Sequence, residues 1–318
     1  MSKLVPVPTG TSPWNGPSPR DREERGRWCA RQLEEGNIPF FVQAPFELPK
    51  DDRDFLLRQQ QTGRFFHKNI AYRPLQDRLT GFASSTGGGG EARMRRIMRE
   101  FCERATRCLT DLSPQYAASW RLDYTSFRPC EEHGRLMRQS ARNDLLHVDA
   151  FPTRPTRGDR ILRFFTNINP TRPRVWVTGP TFEDLAGQLA VGSSLLPRLG
   201  DGHTAVARLG PFRYARRALQ RAAQAIGERA AAASPYDRFM HRFHNYLKEE
   251  SSFQQDCAKD RWEFPPGSSW IVFTDGVSHA VLSGQFALEQ TYIVPRSALV
   301  LPQKAPASVL ESLCGCVL

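Results

Sequence analysis

The chain has 318 residues, of which 40% are hydrophobic, and it carries a formal net charge of +11. This composition supports a buried core and excludes a disordered chain, while the charge favours an acidic partner: nucleic acid, an anionic membrane surface or a negatively charged substrate. The seven cysteines form an odd set without Cys-x-x-Cys spacing, so neither a disulfide framework nor a zinc ribbon is indicated. The basic residues are dispersed and no nucleic-acid-binding motif accompanies them, so we expect no nucleic-acid partner.

The sequence of residues 21–118 predicts a region of mixed helices and strands that supports the domain following it. Residues 1–20 are rich in proline, serine and glycine, which predicts disorder. A helix over residues 21–36, a strand over 38–42 and a short helix over 51–61 follow, then a glycine-rich loop at 84–90. Apolar residues at helical spacing between Ala92 and Leu112 predict an amphipathic helix against the core.

The remaining chain predicts a β domain with a helical insertion. Segments rich in β-forming residues predict strands at 120–124, 145–149, 161–169, 174–178, 268–274 and 285–294. Residues 180–260 have helical character, and we read them as an insertion between strands. The domain then spans residues 119–300, and residues 301–318 form a C-terminal tail.

His147 and Asp149 stand two residues apart in the triplet His147-Val148-Asp149. Alternate residues of a strand point to the same side, so both side chains can reach one ion. His279 follows far downstream, next to a second β-rich segment, and would complete a set of two imidazoles and one carboxylate. Three such ligands leave half of an octahedron open, as in non-haem iron oxygenases. The alternative is a buried polar cluster without metal.

The order of the candidate ligands predicts the fold. A strand carries His147 and Asp149, and it is followed by a further strand, a long insertion and a hairpin that presents His279. This is the order found in a double-stranded β-helix, or jelly roll. We therefore predict an α+β fold with a jelly-roll core, N-terminal helices and a helical insertion.

Other polar residues have more ordinary interpretations. His241 and His244 lie three apart on a predicted helix without an evident third ligand, which favours a polar helix face. A basic stripe at Arg213, Arg217 and Arg221 is typical of a solvated surface, with a membrane or phosphate role as the alternative.

Four segments closely resemble the 3-deoxy-D-manno-oct-2-ulosonic acid (Kdo) 3-hydroxylases of Gram-negative bacteria, and residues 69–74 also fit. The segments are Leu-His-Val-Asp-Ala-Phe-Pro-Thr-Arg-Pro-Thr-Arg (146–157), Leu-Arg-Phe-Phe-Thr-Asn-Ile-Asn-Pro (162–170), Arg-Val-Trp-Val (174–177) and Ala-Leu-Glu-Gln-Thr-Tyr (287–292). The resemblance extends from about residue 36 to 313. It implies an Fe(II)- and 2-oxoglutarate-dependent dioxygenase that uses O2, with His147, Asp149 and His279 as iron ligands.

The resemblance also implies the substrate and its location. The implied reaction hydroxylates C3 of a Kdo sugar of Kdo-lipid A, at the cytoplasmic face of the inner membrane. Kdo carries a carboxylate and lipid A carries phosphates, which agrees with the basic charge. No run of eighteen apolar residues and no apolar leader is present, so we expect a cytoplasmic protein. The resemblance implies that it contacts the inner membrane peripherally. A homo-oligomer is compatible with the sequence.

Cosubstrate and substrate carboxylates need cations. Many relatives place an arginine about ten residues after the distal histidine, where this chain has Glu289. We therefore expect Arg163, then Arg174, to bind 2-oxoglutarate, with Thr291 as a hydroxyl donor, or an internal ion pair to Glu289 instead. Arg154 and Arg157 follow the metal motif and would meet an anionic group of the substrate.

Two other functions remain open at this point. One is a jelly roll that binds anionic glycolipid without altering it, which would hold no iron. The other is a 2-oxoglutarate-dependent hydroxylase acting on protein or nucleic acid, which would keep the metal chemistry and change the substrate.

Overall fold

The computed structural model describes residues 2–7, 19–59, 69–82, 88–134, 137–190 and 233–318. The strands are β1 (Leu4–Pro6), β2 (Ile38–Phe41), β3 (Ile70–Arg73), β4 (Arg78–Thr80), β5 (Arg121–Arg128), β6 (Arg160–Asn167), β7 (Arg174–Thr181), β8 (Asp260–Phe264), β9 (Ser269–Phe273), β10 (Val277–Ser283) and β11 (Ala287–Val294). The helices are α1 (Pro19–Glu34), α2 (Lys50–Leu57), α3 (Gly88–Leu112), α4 (Pro114–Ala117), α5 (Phe182–Ala190), α6 (Pro235–Glu249), α7 (Ser251–Asp256) and α8 (Pro306–Cys314). Short 3-10 turns occupy Pro74–Gln76, Gln139–Ala141, Arg296–Ala298 and Pro302–Lys304.

Two β-sheets face each other. The major sheet has the strand order β1-β2-β9-β6-β11-β5-β3-β4, and the minor sheet has the order β10-β7-β8. All neighbours are antiparallel except β1 and β2. Phe165 and Trp270 of the major sheet contact Trp176 of the minor sheet, with ring centres 5.0 and 5.5 Å apart. This arrangement confirms the predicted jelly-roll core within an α+β fold.

Side chains of the central strands point alternately into the apolar core and into the space between the two sheets. Leu162 and Phe164 of β6 belong to the apolar cluster that also contains residues of α1 and α3. Their neighbours Arg163 and Phe165 point to the other side, because successive side chains of a strand alternate. In β11 the same rule directs Glu289 and Thr291 away from that cluster. Polar side chains of two central strands therefore meet between the sheets.

The helices cover two surfaces. The long helix α3 is confirmed as a support, since its apolar stripe is buried against the major sheet. Helices α5, α6 and α8 contribute to a second apolar cluster, which includes Phe243, Leu310 and Val148. In the described part of the chain, no helix combines the length and apolar character needed to cross a membrane.

Four sequence-based segments differ from the structure. Residues 4–6 lie within the segment predicted as disordered but form β1, because their backbone pairs with β2 and Val7 is buried. Gly88, Gly89 and Gly90 belong to α3 rather than to the predicted loop, whose residues 84–87 lie outside the described residues. The region predicted as an N-terminal support contributes three strands, β2, β3 and β4, to the major sheet, and the C-terminal tail contains α8.

The predicted insertion is helical where the structure describes it. Helices α5, α6 and α7 lie between β7 and β8. The basic stripe of Arg213, Arg217 and Arg221 lies outside the described residues.

Candidate metal centre

His147 and His279 are brought together by a pair of backbone hydrogen bonds. The N–H of each donates to the carbonyl oxygen of the other, at 3.1 and 2.9 Å. His279 lies on β10, and His147 forms an isolated bridge to it. The sequence separation of the two histidines is therefore closed by one antiparallel contact at the edge of the minor sheet.

The His-x-Asp segment, residues 145–149, is not the strand that the sequence predicts. Beyond the bridge at His147, its backbone groups bind elsewhere. The side chain of Gln254 pairs with both backbone groups of Leu146, the ring of His244 binds the carbonyl oxygen of Val148 at 2.7 Å, and the N–H of Asp149 donates to Thr274. Side chains of α6 and α7 thus replace a neighbouring strand.

The three candidate ligands converge. One ligand atom from each of His147, Asp149 and His279 lies within 4.8 Å of the other two. In the described residues, no other group of three metal-binding side chains converges in this way. Both histidines are 5% exposed. The separation of these donors fits a single ion placed between them.

Backbone carbonyls fix the tautomer of both imidazoles. Nδ1 of His147 lies 2.7 Å from the carbonyl oxygen of Leu145, and Nδ1 of His279 lies 2.9 Å from that of Val277. A carbonyl oxygen only accepts, so Nδ1 must carry the proton and Nε2 keeps its lone pair. Metal-binding histidines commonly have such a second hydrogen bond. The residues therefore fit a divalent metal.

Burial sets the charge of the three groups. It lowers the pKa of both imidazoles, and for His147 the neighbouring His279 and Lys248 lower it further. Burial alone would raise the pKa of the Asp149 carboxyl, but the charge of Arg163 outweighs it and holds the pKa below its ordinary range. Two neutral imidazoles and one carboxylate are the protonation states that metal binding requires.

An ion-pair network lies behind the carboxylate. Arg163 contacts Asp149 at 2.9 Å and Glu289 at 2.6 Å, and Glu289 also accepts from Nε of Arg128 at 3.0 Å. Burial would raise the pKa of Glu289, and the two guanidinium groups lower it. Thr291 donates its hydroxyl to Glu289 at 3.0 Å. The internal ion pair considered from the sequence for Arg163 is therefore present.

Arg174 enters the same cavity from β7. The cavity is lined by Arg128, Asn143, His147, Asp149, Arg163, Phe165, Arg174, Trp176, His279 and Val281. Arg174 donates to the carbonyl oxygen of Gly284 at 3.1 Å and lies 3.6 Å from Glu132, but among the described residues its Nε and Nη2 have no hydrogen-bond partner. Gly284 has a φ of +128°, and a Cβ there would lie 2.7 Å from Cγ of Arg174. Glycine at 284 therefore makes room for this arginine.

The two arginines that follow the metal motif lie in different surroundings. Arg154 forms an ion pair with Asp123 and stacks on Phe151. Arg157 is exposed, and its backbone N–H donates to Asp237 at 3.1 Å. The structure brings Arg154 near the site through Phe151 and shows no such contact for Arg157.

Several residues of the site were not recognised in the sequence. Arg128 lies beyond the predicted end of β5, and that strand (Arg-Leu-Asp-Tyr-Thr-Ser-Phe-Arg) is too polar for one more charged residue to be a signal. Trp176 stacks on His279 with ring centres 5.2 Å apart. His244, which the sequence assigns to a polar helix face, lies edge-on to His147 at 4.9 Å, while His241 is exposed as expected. No sequence pattern indicates which core element a helix of the insertion contacts.

A jelly roll with two histidines and one carboxylate converging between its sheets defines a protein of the non-haem iron oxygenase class. The sequence matches the family described as 3-deoxy-D-manno-oct-2-ulosonic acid (Kdo) hydroxylase over residues 17–316. The chain belongs to this Kdo hydroxylase family.

Solved structures agree with the family assignment. The Kdo hydroxylase KdoO, described as a non-heme Fe(II) alphaketoglutarate dependent dioxygenase, is similar in its complex with alphaketoglutarate and Fe(III): 30% identity, a TM-score of 0.77, and coverage of 100% of this chain and 97% of that one. Its apo structure gives 31% identity, a TM-score of 0.78 and the same coverage. Its complex with succinate and Fe(III) gives 30% identity, a TM-score of 0.76, and coverage of 99% and 96%. A search of curated protein sequences finds no match. The predicted family and fold class are confirmed.

Proposed function

We propose that this chain is an Fe(II)- and 2-oxoglutarate-dependent dioxygenase that hydroxylates C3 of a Kdo sugar, with Kdo-lipid A as its substrate. The observation that carries the proposal is the convergence of His147, Asp149 and His279 within 4.8 Å in a chain of the Kdo hydroxylase family. The complexes of KdoO with alphaketoglutarate and with succinate correspond to the cosubstrate and its decarboxylated product. Family membership favours this function over a non-catalytic glycolipid-binding protein.

In this proposal Nε2 of His147, Nε2 of His279 and the Asp149 carboxylate hold the iron. When bound, iron together with 2-oxoglutarate and O2 supplies the oxidising chemistry. The protein contributes the positions of the side chains that hold the iron. The carbonyls of Leu145 and Val277 orient the two rings, and Arg163 holds the carboxylate. Burial of both histidines excludes water from the side of the site formed by the sheets.

The charges around the cavity fit a doubly negative cosubstrate. Three guanidinium groups (Arg128, Arg163, Arg174) are matched by three carboxylates (Glu132, Asp149, Glu289). Fe(II) adds two positive charges to this neutral set, and the two carboxylates of 2-oxoglutarate offset them. Because a buried charge without a partner is strongly unfavourable, metal and cosubstrate should stabilise each other in the site.

We assign the far carboxylate of 2-oxoglutarate to Arg174, which reverses the order expected from the sequence. Arg163 already binds Asp149 and Glu289, although its Nε has no hydrogen-bond partner among the described residues. Arg174 lacks such a partner at both Nε and Nη2, and its one carboxylate neighbour, Glu132, lies 3.6 Å away. Burial lowers the pKa of Arg174 to about 10, so the group stays charged at neutral pH. Thr291 supports Glu289 in this arrangement and does not bind the cosubstrate.

We further propose that the chain meets its lipid-linked substrate as a peripheral protein at the cytoplasmic face of the inner membrane. The net charge of +11 supports this, because anionic lipid surfaces attract basic proteins. Substrate contact by Arg157, which is exposed, and assembly into a homo-oligomer remain predictions.

The test supplies the purified chain with Fe(II), 2-oxoglutarate and O2, and with Kdo-lipid A, tRNA or basic peptides in parallel. We expect Kdo-lipid A alone to gain one oxygen atom, with one succinate released per product. Mass spectrometry of lipid A from cells with and without the chain should show the same gain on the Kdo region. Tight coupling of succinate release to tRNA or peptide, with Kdo-lipid A unchanged, would contradict the proposal.

A further inference from the structure

Guanidinium groups and aromatic rings alternate in a row that runs from β3 to the metal centre. Cζ of Arg73 lies 4.9 Å from the ring centre of Tyr124. Cζ of Arg154 lies 4.0 Å from the ring centres of both Tyr124 and Phe151, and Cζ of Arg163 lies 5.4 Å from that of Phe151. Arg163 then forms the ion pair with Asp149. We call these five residues, with Arg73 as the outer end, the arginine row.

The carboxylates are distributed unevenly along the arginine row. Arg163 contacts two carboxylates, and Arg154 contacts Asp123. Within the described ranges, Arg73 forms no ion pair, and its Nε is buried without a hydrogen-bond partner. Burial lowers the pKa of Arg154 to about 10, with further lowering by the charges of Arg163 and Arg73. Positive charge is therefore in excess at the outer end of the row.

Stability alone does not account for this excess. The rings of Tyr124 and Phe151 are half-buried, and stacking of a guanidinium group on such a ring is only moderately favourable. Two like charges on one ring repel each other, and a charge without a counter-ion adds to that repulsion. A group that supplies negative charge from outside the chain would remove the conflict. An oxyanion suits the position, since the planar fork of arginine binds carboxylates and phosphates in bidentate fashion.

We propose that Arg73 and Arg154, stacked on Tyr124, bind an anionic group of the Kdo-containing substrate and so direct the sugar towards the metal centre. This inference rests on the proposed function and adds two contacts, Arg73 and Tyr124, that the motif-based prediction does not include. The sugar carboxylate and the phosphates of lipid A share the required chemistry. Both are oxyanions, and neither is attached directly to the carbon to be hydroxylated.

The first test compares Arg73→Met with Arg78→Met. Arg78 is the register partner of Arg73 on β4, and it is exposed and outside the arginine row, so it is a matched control. We expect Arg73→Met to raise the KM for Kdo-lipid A by about 10-fold or more, as for loss of a charged hydrogen bond. The half-saturating concentration of 2-oxoglutarate should stay as in the wild type. Tyr124→Leu, which removes the shared ring, should raise the same KM.

The second test identifies the anion, with intact and dephosphorylated Kdo-lipid A as substrates. If the carboxylate is bound, Arg73→Met raises the KM for both substrates. If a phosphate is bound, the wild type shows a raised KM for the dephosphorylated substrate and Arg73→Met adds nothing further. If Arg73→Met and Tyr124→Leu both show wild-type KM values for the two substrates, this inference is overturned and the proposed function still stands. A wild-type chain that leaves Kdo-lipid A unchanged would overturn the proposed function and the inference with it.

Discussion

The side-chain amide of Gln254 forms the two hydrogen bonds with Leu146 that a neighbouring strand would otherwise form. Its Nε2 donates to the carbonyl oxygen of Leu146 at 2.9 Å, and its Oε1 accepts from the N–H of Leu146 at 3.0 Å. Nε2 also donates to Leu247 of α6 at 2.6 Å. Because Leu146 directly precedes His147, one glutamine of the insertion joins the candidate metal centre to two helices.

Gln254→Leu should weaken metal binding without unfolding the chain. The substitution leaves both backbone groups of Leu146 unpaired, and His147 then loses part of its support. Loss of a group that holds a metal ligand in place, without binding the metal itself, lowers metal affinity roughly 10- to 100-fold. Anaerobic Co(II) titration measures the effect, with Gln255→Leu as control because Gln255 is exposed on the same helix. Equal affinities of the two variants would show that the contact has no role in positioning.

Asp149→Asn should abolish metal-dependent stabilisation. The amide keeps the shape of the side chain but removes the charge that the metal needs. Metal affinity should therefore fall by more than the roughly 10- to 100-fold expected when a group that only supports a ligand is lost. Binding to the native state raises the unfolding temperature of the wild type. Thermal unfolding with and without Co(II) therefore measures the loss. Exposed Asp256→Asn is the control, and a wild-type shift in Asp149→Asn would contradict the ligand assignment.

Arg174→Met should raise the half-saturating concentration of 2-oxoglutarate. Hydrogen bonds to a charged group contribute about 1.5–3 kcal/mol, which corresponds to a rise of roughly 10- to 100-fold. Arg163→Met should instead weaken metal binding, since Asp149 loses its guanidinium partner. Succinate formation at varied cosubstrate and iron concentrations separates the two effects, with Arg172→Met as an exposed control. A larger cosubstrate effect in Arg163→Met would restore the order expected from the sequence.

His244 should make the folded chain less stable at acidic pH. Burial, and then the charge of Lys248, lower its pKa from 6.5 to about 4 in the folded chain. Below pH 6.5 the unfolded chain binds a proton at this histidine and the folded chain does not, so stability falls as the pH falls from 6.5 to 4. The full difference is about 3 kcal/mol in the free energy of unfolding.

The variant His244→Asn isolates this contribution, because its side-chain amide can still donate to the carbonyl oxygen of Val148. We expect the wild type to lose more stability than His244→Asn between pH 7 and pH 4.5, by roughly 2–3 kcal/mol. Urea unfolding at both pH values measures it. Equal losses in the two proteins would show that His244 is not buried in its neutral form.

The elements that the sequence predicts best are those with strong periodicity. The helix between Ala92 and Leu112 and the strands around Arg163 and Glu289 lie where their patterns place them, because apolar spacing reflects which side of an element is buried. The N-terminal strand β1 is missed, since three residues have no period of their own and form a strand only by pairing with β2. The prediction also fails at residues 145–149, where the pattern is that of a strand. Beyond the bridge between His147 and His279, the side chains of Gln254 and His244 bind backbone groups of Leu146 and Val148.

The sequence by itself determined the donor set of the site, because the spacing of His147 and Asp149 and the residue types in the motifs are local properties. It also determined the alternation that directs Arg163 and Glu289 between the sheets. Only the tertiary structure decided which guanidinium groups are already paired, because ion pairs join residues far apart in the chain. The sequence ranks Arg163 before Arg174, and the structure reverses that order because β11 places Glu289 beside Arg163, whereas two donors of Arg174 have no hydrogen-bond partner among the described residues.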